Sequence, residues 1–396
     1  MKPGFIALAL AGSMMAAPIS AETASSASFQ TGAVNDAVKD NLERFAPADV
    51  RGDHQIDYEH WDEALAWMVI PMGPSIRQTA GRVEADLGSR MITGHDSRFR
   101  LEGNRVAFSF LTPEIVQALS EYRADLERVG STLDITSIPR NEQLAFWLNL
   151  HNVAVIEALA YEYPLRQPAD RTFGAEAAPL DDAKLVTVAG VALSPRDIRE
   201  RIVYNNWRDP KVMYGFWRGA IGGPSIQRIA FDGANVDALL ALSAEEFVNS
   251  LRGVEKRGDT LQVSPIYQEA SGYYFSDDDA LRAHLEKYAG EDVSKLLGKT
   301  SQTDYKSFEQ DLADLAKGHA HSNIDFLSSI DCRGQSCAFE PQGGSPVRTN
   351  ANLAIQRLMK ERGEKLRRAY KAGIRSGMVI YGDGKYSESD VPAEVE

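Results

Sequence analysis

The stretch Asn141-Glu142-Gln143-Leu144-Ala145-Phe146-Trp147-Leu148-Asn149-Leu150-His151-Asn152-Val153 decides how the rest of this chain is read. It follows Ile138-Pro139-Arg140, a helix start, and its periodicity runs to Tyr163-Pro164, where proline stops a helix. Ala145, Leu148, Asn149, Asn152 and Ile156 share one face at three- and four-residue spacing, and Phe146, Leu150, Val153 and Glu157 share another. A helix apolar nearly all round belongs in the middle of a fold. The amides of Asn149 and Asn152, with His151 between them, then need partners, because a buried polar group without one is costly.

Outward from that helix, the sequence predicts an α+β fold dominated by helices, with a single core, a small antiparallel sheet and a C-terminal helical extension. Helices are expected from Asp57, over Ile76–Leu87, from Thr112-Pro113 to about Val129, from Ser194-Pro195 to about Asn205, and over Val236–Leu251. Further ones are expected over Ser276–Tyr288, over Tyr305–Lys317 with Gly318 as its C-terminal cap, and over Ala351–Gly373. Leu185 to Leu193 reads as a hairpin around Ala189-Gly190, Leu261 to Phe275 as strand, and His319 to Ser329 as a last strand. The main domain is placed at 53–297 and the extension at 298–396. No internal repeat is visible.

With 396 residues, of which 43% are hydrophobic, the chain can bury a large core. The net charge of −13 argues against a nucleic-acid or anionic-membrane binder, since either needs a positive surface. Lys2, the apolar run Phe5–Ala17 and Ile19-Ser20-Ala21 read as a secretory signal peptide over 1–21, with Ala24 as an alternative cleavage position. A Ser- and Ala-rich, flexible lead-in is expected over 22–52. The expected location is therefore periplasmic or secreted, with no transmembrane segment after cleavage. In that setting Cys332 and Cys337, five positions apart around Gly334, are expected to form a disulfide that pins a turn.

The order of the Asn141–Asn152 motif, then Leu193-Ser194-Pro195-Arg196-Asp197-Ile198, then Asp209-Pro210-Lys211-Val212, then Gly219 to Pro224 resembles the DUF547 family. That is a domain of unknown function found in exported bacterial proteins and in plant proteins. The resemblance covers about 138–251. The family pattern usually has Tyr at position 151, Glu-His at 199–200, His at 213 and Cys-Gly-Ala-x-Ser-Cys-Pro at 218–224. Here Arg199-Glu200, Met213 and Arg218-Gly219-Ala220-Ile221-Gly222-Gly223-Pro224 stand in those places. Any chemistry that needs those thiols and imidazoles is absent from this chain.

The resemblance therefore implies a catalytically degenerate envelope protein that binds a small molecule or another envelope protein. A hydrolase or transferase is the alternative. In that case His151 moves a proton, Asn149 orients the substrate and Arg218 holds a carboxylate or phosphate, with Asn141, Gln143, Asn152, Gly222 and Ser225 lining the cleft. The same residues can instead satisfy buried backbone groups, with Gly222 and Gly223 serving turn geometry. A second alternative is zinc held by His319 and His321, which share a face if they lie on a strand, although no third ligand is fixed by spacing. No resident metal or other cofactor is expected. The Gly219–Pro224 stretch lacks the Gly-Lys-Ser/Thr ending of a nucleotide loop, and no Gly-x-Ser-x-Gly or His-Glu-x-x-His motif occurs. The basic C-terminal helix, with Lys360, Arg362, Lys365, Arg367, Arg368 and Lys371, reads first as a solvated face, with docking on an acidic partner or on the chain's own acidic body as the alternative.

Overall fold

The computed structural model describes residues 42–48, 50, 54–83, 94–320 and 350–374. The signal peptide, most of the lead-in, Cys332, Cys337 and His321 lie outside the described residues.

The architecture is α+β and helix-dominated. Helices α1 (Glu59–Met68), α2 (Pro113–Thr132), α3 (Arg140–Glu162), α4 (Val236–Val248), α5 (Pro265–Tyr274), α6 (Asp278–Tyr288), α7 (Glu291–Gly298) and α8 (Asn350–Lys371) carry most of it. Short strands β1 (Val69–Pro71) and β2 (Asn104–Val106) form one antiparallel pair, and β3 (Val186–Val188) and β4 (Val191–Leu193) another. A third sheet joins β5 (Val254–Arg257) and β6 (Thr260–Val263) as an antiparallel hairpin, with β7 (Gln302–Tyr305) parallel to β6.

Helix α3 lies at the centre. By length and composition its 23 residues could span a membrane, yet nearly every side chain from Glu142 to Leu159 is buried inside the protein. It packs along α2, whose start is set by Thr112 accepting from the Ile115 amide ahead of Pro113. The β3–β4 hairpin turns at Ala189 and Gly190, both at positive φ (48° and 77°), as a two-residue turn matched to strand twist requires. Residues 195–206 form one helical run whose middle, Asp197–Tyr204, is a π-helix. Such widened turns are rare and often occur at functional sites.

Several expectations from sequence need correction. Residues 76–83 are irregular, not helical. The strand expected over Leu261–Phe275 ends at Val263, because Ser264 caps a helix and Pro265 takes its first position. The helix expected over Tyr305–Lys317 is an irregular segment that follows β7. Its apolar residues Leu312, Ala313, Leu315 and Ala316 recur at three- and four-residue intervals because they enter the core from an extended chain. His319 and Ala320 form no strand. Helix α8 is solvated along Lys360, Arg367, Arg368 and Lys371 but docks on the body with its other face, where Ala351, Ile355 and Leu358 close a second apolar cluster with Ile70, Met72, Leu101, Phe110 and Leu315. Below them Arg362 donates to the Pro71 carbonyl (2.6 Å), and the buried Lys365 donates to the carbonyls of Gly73 (3.1 Å) and Leu101 (2.5 Å).

Candidate functional site

The α3 amides act as staples. Asn149 donates to the Phe231 carbonyl (2.7 Å) and accepts from the Phe231 amide (3.1 Å), satisfying both backbone groups of one residue. One turn on, Asn152 brackets Phe216, donating to the Gly215 carbonyl (3.0 Å) and accepting from Trp217 N–H (3.0 Å). Gln143 donates to the Ile138 carbonyl (2.7 Å), and Asn141 to that of Gly233 (3.4 Å). Glu142, which sequence reading passed over, is buried and accepts from the Ile56 (3.0 Å) and Gly233 (2.7 Å) amides. Burial raises its carboxyl pKa, although those two bonds oppose the shift.

His151 is fully buried against Phe216, ring edge to ring face at 4.9 Å. Its Nδ1 lies 3.0 Å from Asn152 Oδ1. Because the Asn152 amide nitrogen is committed to Gly215, that oxygen can only accept, so Nδ1 carries the proton. Nε2 is left as a buried acceptor with no donor. Burial first, and the Arg199 and Arg218 guanidiniums after it, bring the imidazole pKa down to about 3. The ring is neutral at any physiological pH, which removes the proton transfer near neutrality expected of it.

The charges that press on His151 form a quartet. Arg199, from the π-helical turn, is wholly buried and donates to Asp181 (2.9 Å) and Glu269 (2.8 Å). Arg218 makes a two-pronged pair with Glu269 (2.6 and 2.9 Å) and lies 3.7 Å from Asp181. Side-chain exposures of 0% for Arg199 and 10% for Arg218, against 32% and 22% for Asp181 and Glu269, put the cations inside and the anions toward solvent. Burial alone would raise both carboxyls; instead Arg218 and Arg199 bring Glu269 down to about 2, and Arg199 then Arg218 hold Asp181 well below the usual range. Glu200, beside them, is raised by burial and by Glu269. Glu200 (3.5 Å from Arg199) and Arg196 (3.9 Å from Asp181) extend the quartet by one charge of each sign, so the network stays balanced and has no spare cation for a substrate anion.

The glycine loop is covered as well. Ile221 and Gly222 donate to the carbonyls of Asp311 (2.8 Å) and Glu309 (3.0 Å), and Ala313 donates to that of Gly219 (2.8 Å). A Cβ on Gly222 would fall 2.6 Å from the Glu309 backbone nitrogen, so only glycine allows this approach. Ser225 donates to Glu246 (3.0 Å) and accepts from the Asn104 amide and from Arg252 (3.3 Å each).

The structure thus brings His151, Asn152 and Arg218 together but sets Asn149, Asn141, Gln143 and Ser225 to backbone or other work. His319 is half-buried, and its carbonyl accepts from the Tyr163 hydroxyl (2.5 Å). Among the described residues no three His, Cys, Asp or Glu groups stand together as metal ligands. Asp181 and Glu269 carry no sequence signal that marks them. Arg199 does carry one, since Ile202 and Val203 lie three and four positions on along the same buried face.

Residues 135–248 match the family model described as "Protein of unknown function, DUF547". They form a DUF547 domain. No curated protein and no solved structure matches the chain. The DUF547 segment contains α3, the π-helical turn, the glycine loop and α4, and hence Asp181, Arg199 and Arg218. Glu269, which completes the quartet, and Glu309–Ala313, which cover the loop, come from outside it.

Proposed function

We propose that this protein is an exported envelope protein that binds a ligand or partner and does no chemistry at its DUF547 core. One observation carries the reading. Arg218 stands where the family pattern has its first cysteine, and it is spent in a buried, charge-balanced pair with Glu269 beside a neutral, enclosed His151. A nucleophile or proton carrier needs access and a pKa near the working pH, and this arrangement offers neither.

The test is a turnover screen of purified protein on chromogenic ester, amide, phosphate and glycoside substrates, run beside His151→Ala and Arg218→Ala. No rate above the two variants is expected. Turnover by the wild type that disappears in both variants, with their folds intact, overturns the reading in favour of a hydrolase or transferase. Export is checked by cell fractionation and by the mass of the mature chain, expected to begin at Glu22 or Ser25. Retention of the full-length chain in the cytoplasm overturns that part.

A further inference from the structure

Away from the quartet, a cavity of about 290 Å³ lies between the irregular segment 76–82, residues Arg100–Glu102 and helix α8. Its volume sits just under the range typical of drug-sized ligand sites, which suits a smaller molecule. Its lining is mostly polar and charged, and its charged groups sort into those whose hydrogen bonds are already made within the protein and those with bonds still to make.

Arg100 is spoken for: it donates to both oxygens of Glu361 (2.6 and 3.0 Å) and to the Gly81 carbonyl (2.8 Å). Lys365 is spoken for by two carbonyls. Glu102 is not. It is 3% exposed, accepts from Ser75 at one oxygen (2.8 Å), and its other oxygen is buried without any donor. At the exposed rim Glu364 and Arg82 have no partner among the described residues, and Arg368 has only the Gln78 amide oxygen (3.2 Å). Glu102 and Glu364 therefore share the cavity with Arg82 and Arg368, none of the four closed into an ion pair among the described residues, and only the buried Glu102 has cations, Lys365 and Arg252, acting on it from the protein side.

We infer that this cavity is a binding site for a small zwitterion, a free amino acid or a dipeptide, whose ammonium meets Glu102 and Glu364 and whose carboxylate meets Arg82 and Arg368. A plain anion would leave the Glu102 oxygen without a donor, and a plain amine would leave both guanidiniums unmatched; a zwitterion answers all four. Burial raises the Glu102 pKa while the nearby Lys365 and Arg252 oppose it, the behaviour of a carboxyl short of donors. The site is independent of the DUF547 core and stands whether or not His151 does chemistry.

The experiment is isothermal titration of the full chain with L-alanine and with Ala-Ala, whose small side chains leave the two termini to do the binding. N-acetyl-Ala-Ala, Ala-Ala amide, the doubly blocked dipeptide and inorganic phosphate serve as comparators. Saturable binding of alanine or Ala-Ala is expected, weakened about tenfold or more by blocking either end, as loss of one charge-assisted contact implies. Arg368→Gln and Glu364→Gln, both at the exposed rim where folding is not at stake, should each weaken it by a similar factor. Glu102→Gln is the stronger variant, to be read only if its melting temperature stays near that of the parent. The inference fails if neither alanine nor Ala-Ala binds, if the doubly blocked dipeptide binds as well as the free one, or if phosphate alone binds as tightly.

Discussion

Removing Glu269 should hurt far more than removing Arg218, although the two are partners in one ion pair. In Glu269→Gln, Arg218 loses its two-pronged carboxylate and keeps only Asp181 at 3.7 Å as an anion, while Arg199 keeps Asp181 and Glu200 (3.5 Å), so two guanidiniums, 0% and 10% exposed, share a depleted set of carboxylates. Stranding a buried charge in this way costs about 3–5 kcal/mol, and the partial solvent contact of Glu269 places the expected loss near the lower end, about 3 kcal/mol. In Arg218→Met, Glu269 and Asp181 both keep Arg199 and both reach solvent, so the expected loss is about 1 kcal/mol, the net worth of an ordinary hydrogen-bonding interaction. The double variant removes one charge of each sign, leaving Arg199 with Asp181 and Glu200, and should cost less than the sum of the singles by about 1.5 kcal/mol or more. The assay is equilibrium unfolding in urea followed by tryptophan fluorescence; Trp217 is buried next to the site. Two single losses each under about 1 kcal/mol that add within about 0.5 kcal/mol would place the quartet among weak surface pairs and refute the reasoning.

Two further outcomes follow from the geometry. His151 stays neutral in the fold down to about pH 3 while the unfolded chain takes up a proton near 6.5, so its contribution is complete above pH 6.5 and is lost as pH falls from there toward 3. Between pH 7 and 5 the wild type should lose about 2 kcal/mol more than His151→Asn, read from urea midpoints at each pH, and parallel pH dependences would show the ring to be charged or exposed. Gly222→Ala drives a methyl into the Glu309 backbone and should lower stability by about 1–3 kcal/mol while making residues 306–320 more sensitive to limited proteolysis; an unchanged midpoint and cleavage pattern would mean the loop is not held there.

The core helix could be read because its composition left no polar face, and its amides could be read as needing partners because burial was implied with them. Thr112-Pro113, Ala189-Gly190 and Ser194-Pro195 announced their elements through local chemistry. Ser264-Pro265 carries the same capping chemistry as Ser194-Pro195 and was obscured by the aromatic and β-branched residues around it. Residues 306–320 were misread for a different reason: apolar spacing reports which side chains enter a core, and an irregular chain pinned by tertiary contacts can produce helical spacing without a helix. The quartet joins residues 181, 199, 218 and 269, whose meeting is fixed by long-range packing rather than by any local pattern.

The strap over the glycine loop also sets a timetable. Val106 exchanges backbone bonds with Ala313 (2.8 Å) and Leu315 (3.0 Å), and Gly219, Ile221 and Gly222 are tied to residues 309–313. At the usual pace of translation the strap leaves the ribosome roughly 10–40 s after β2 does. The DUF547 segment, finished at residue 248, therefore waits for a piece of chain that lies beyond its own boundary before its loop can lock. A nascent chain stalled anywhere between residues 248 and 309 would present that loop with its amides and carbonyls unsatisfied, a natural mark for chaperones or proteases to recognise.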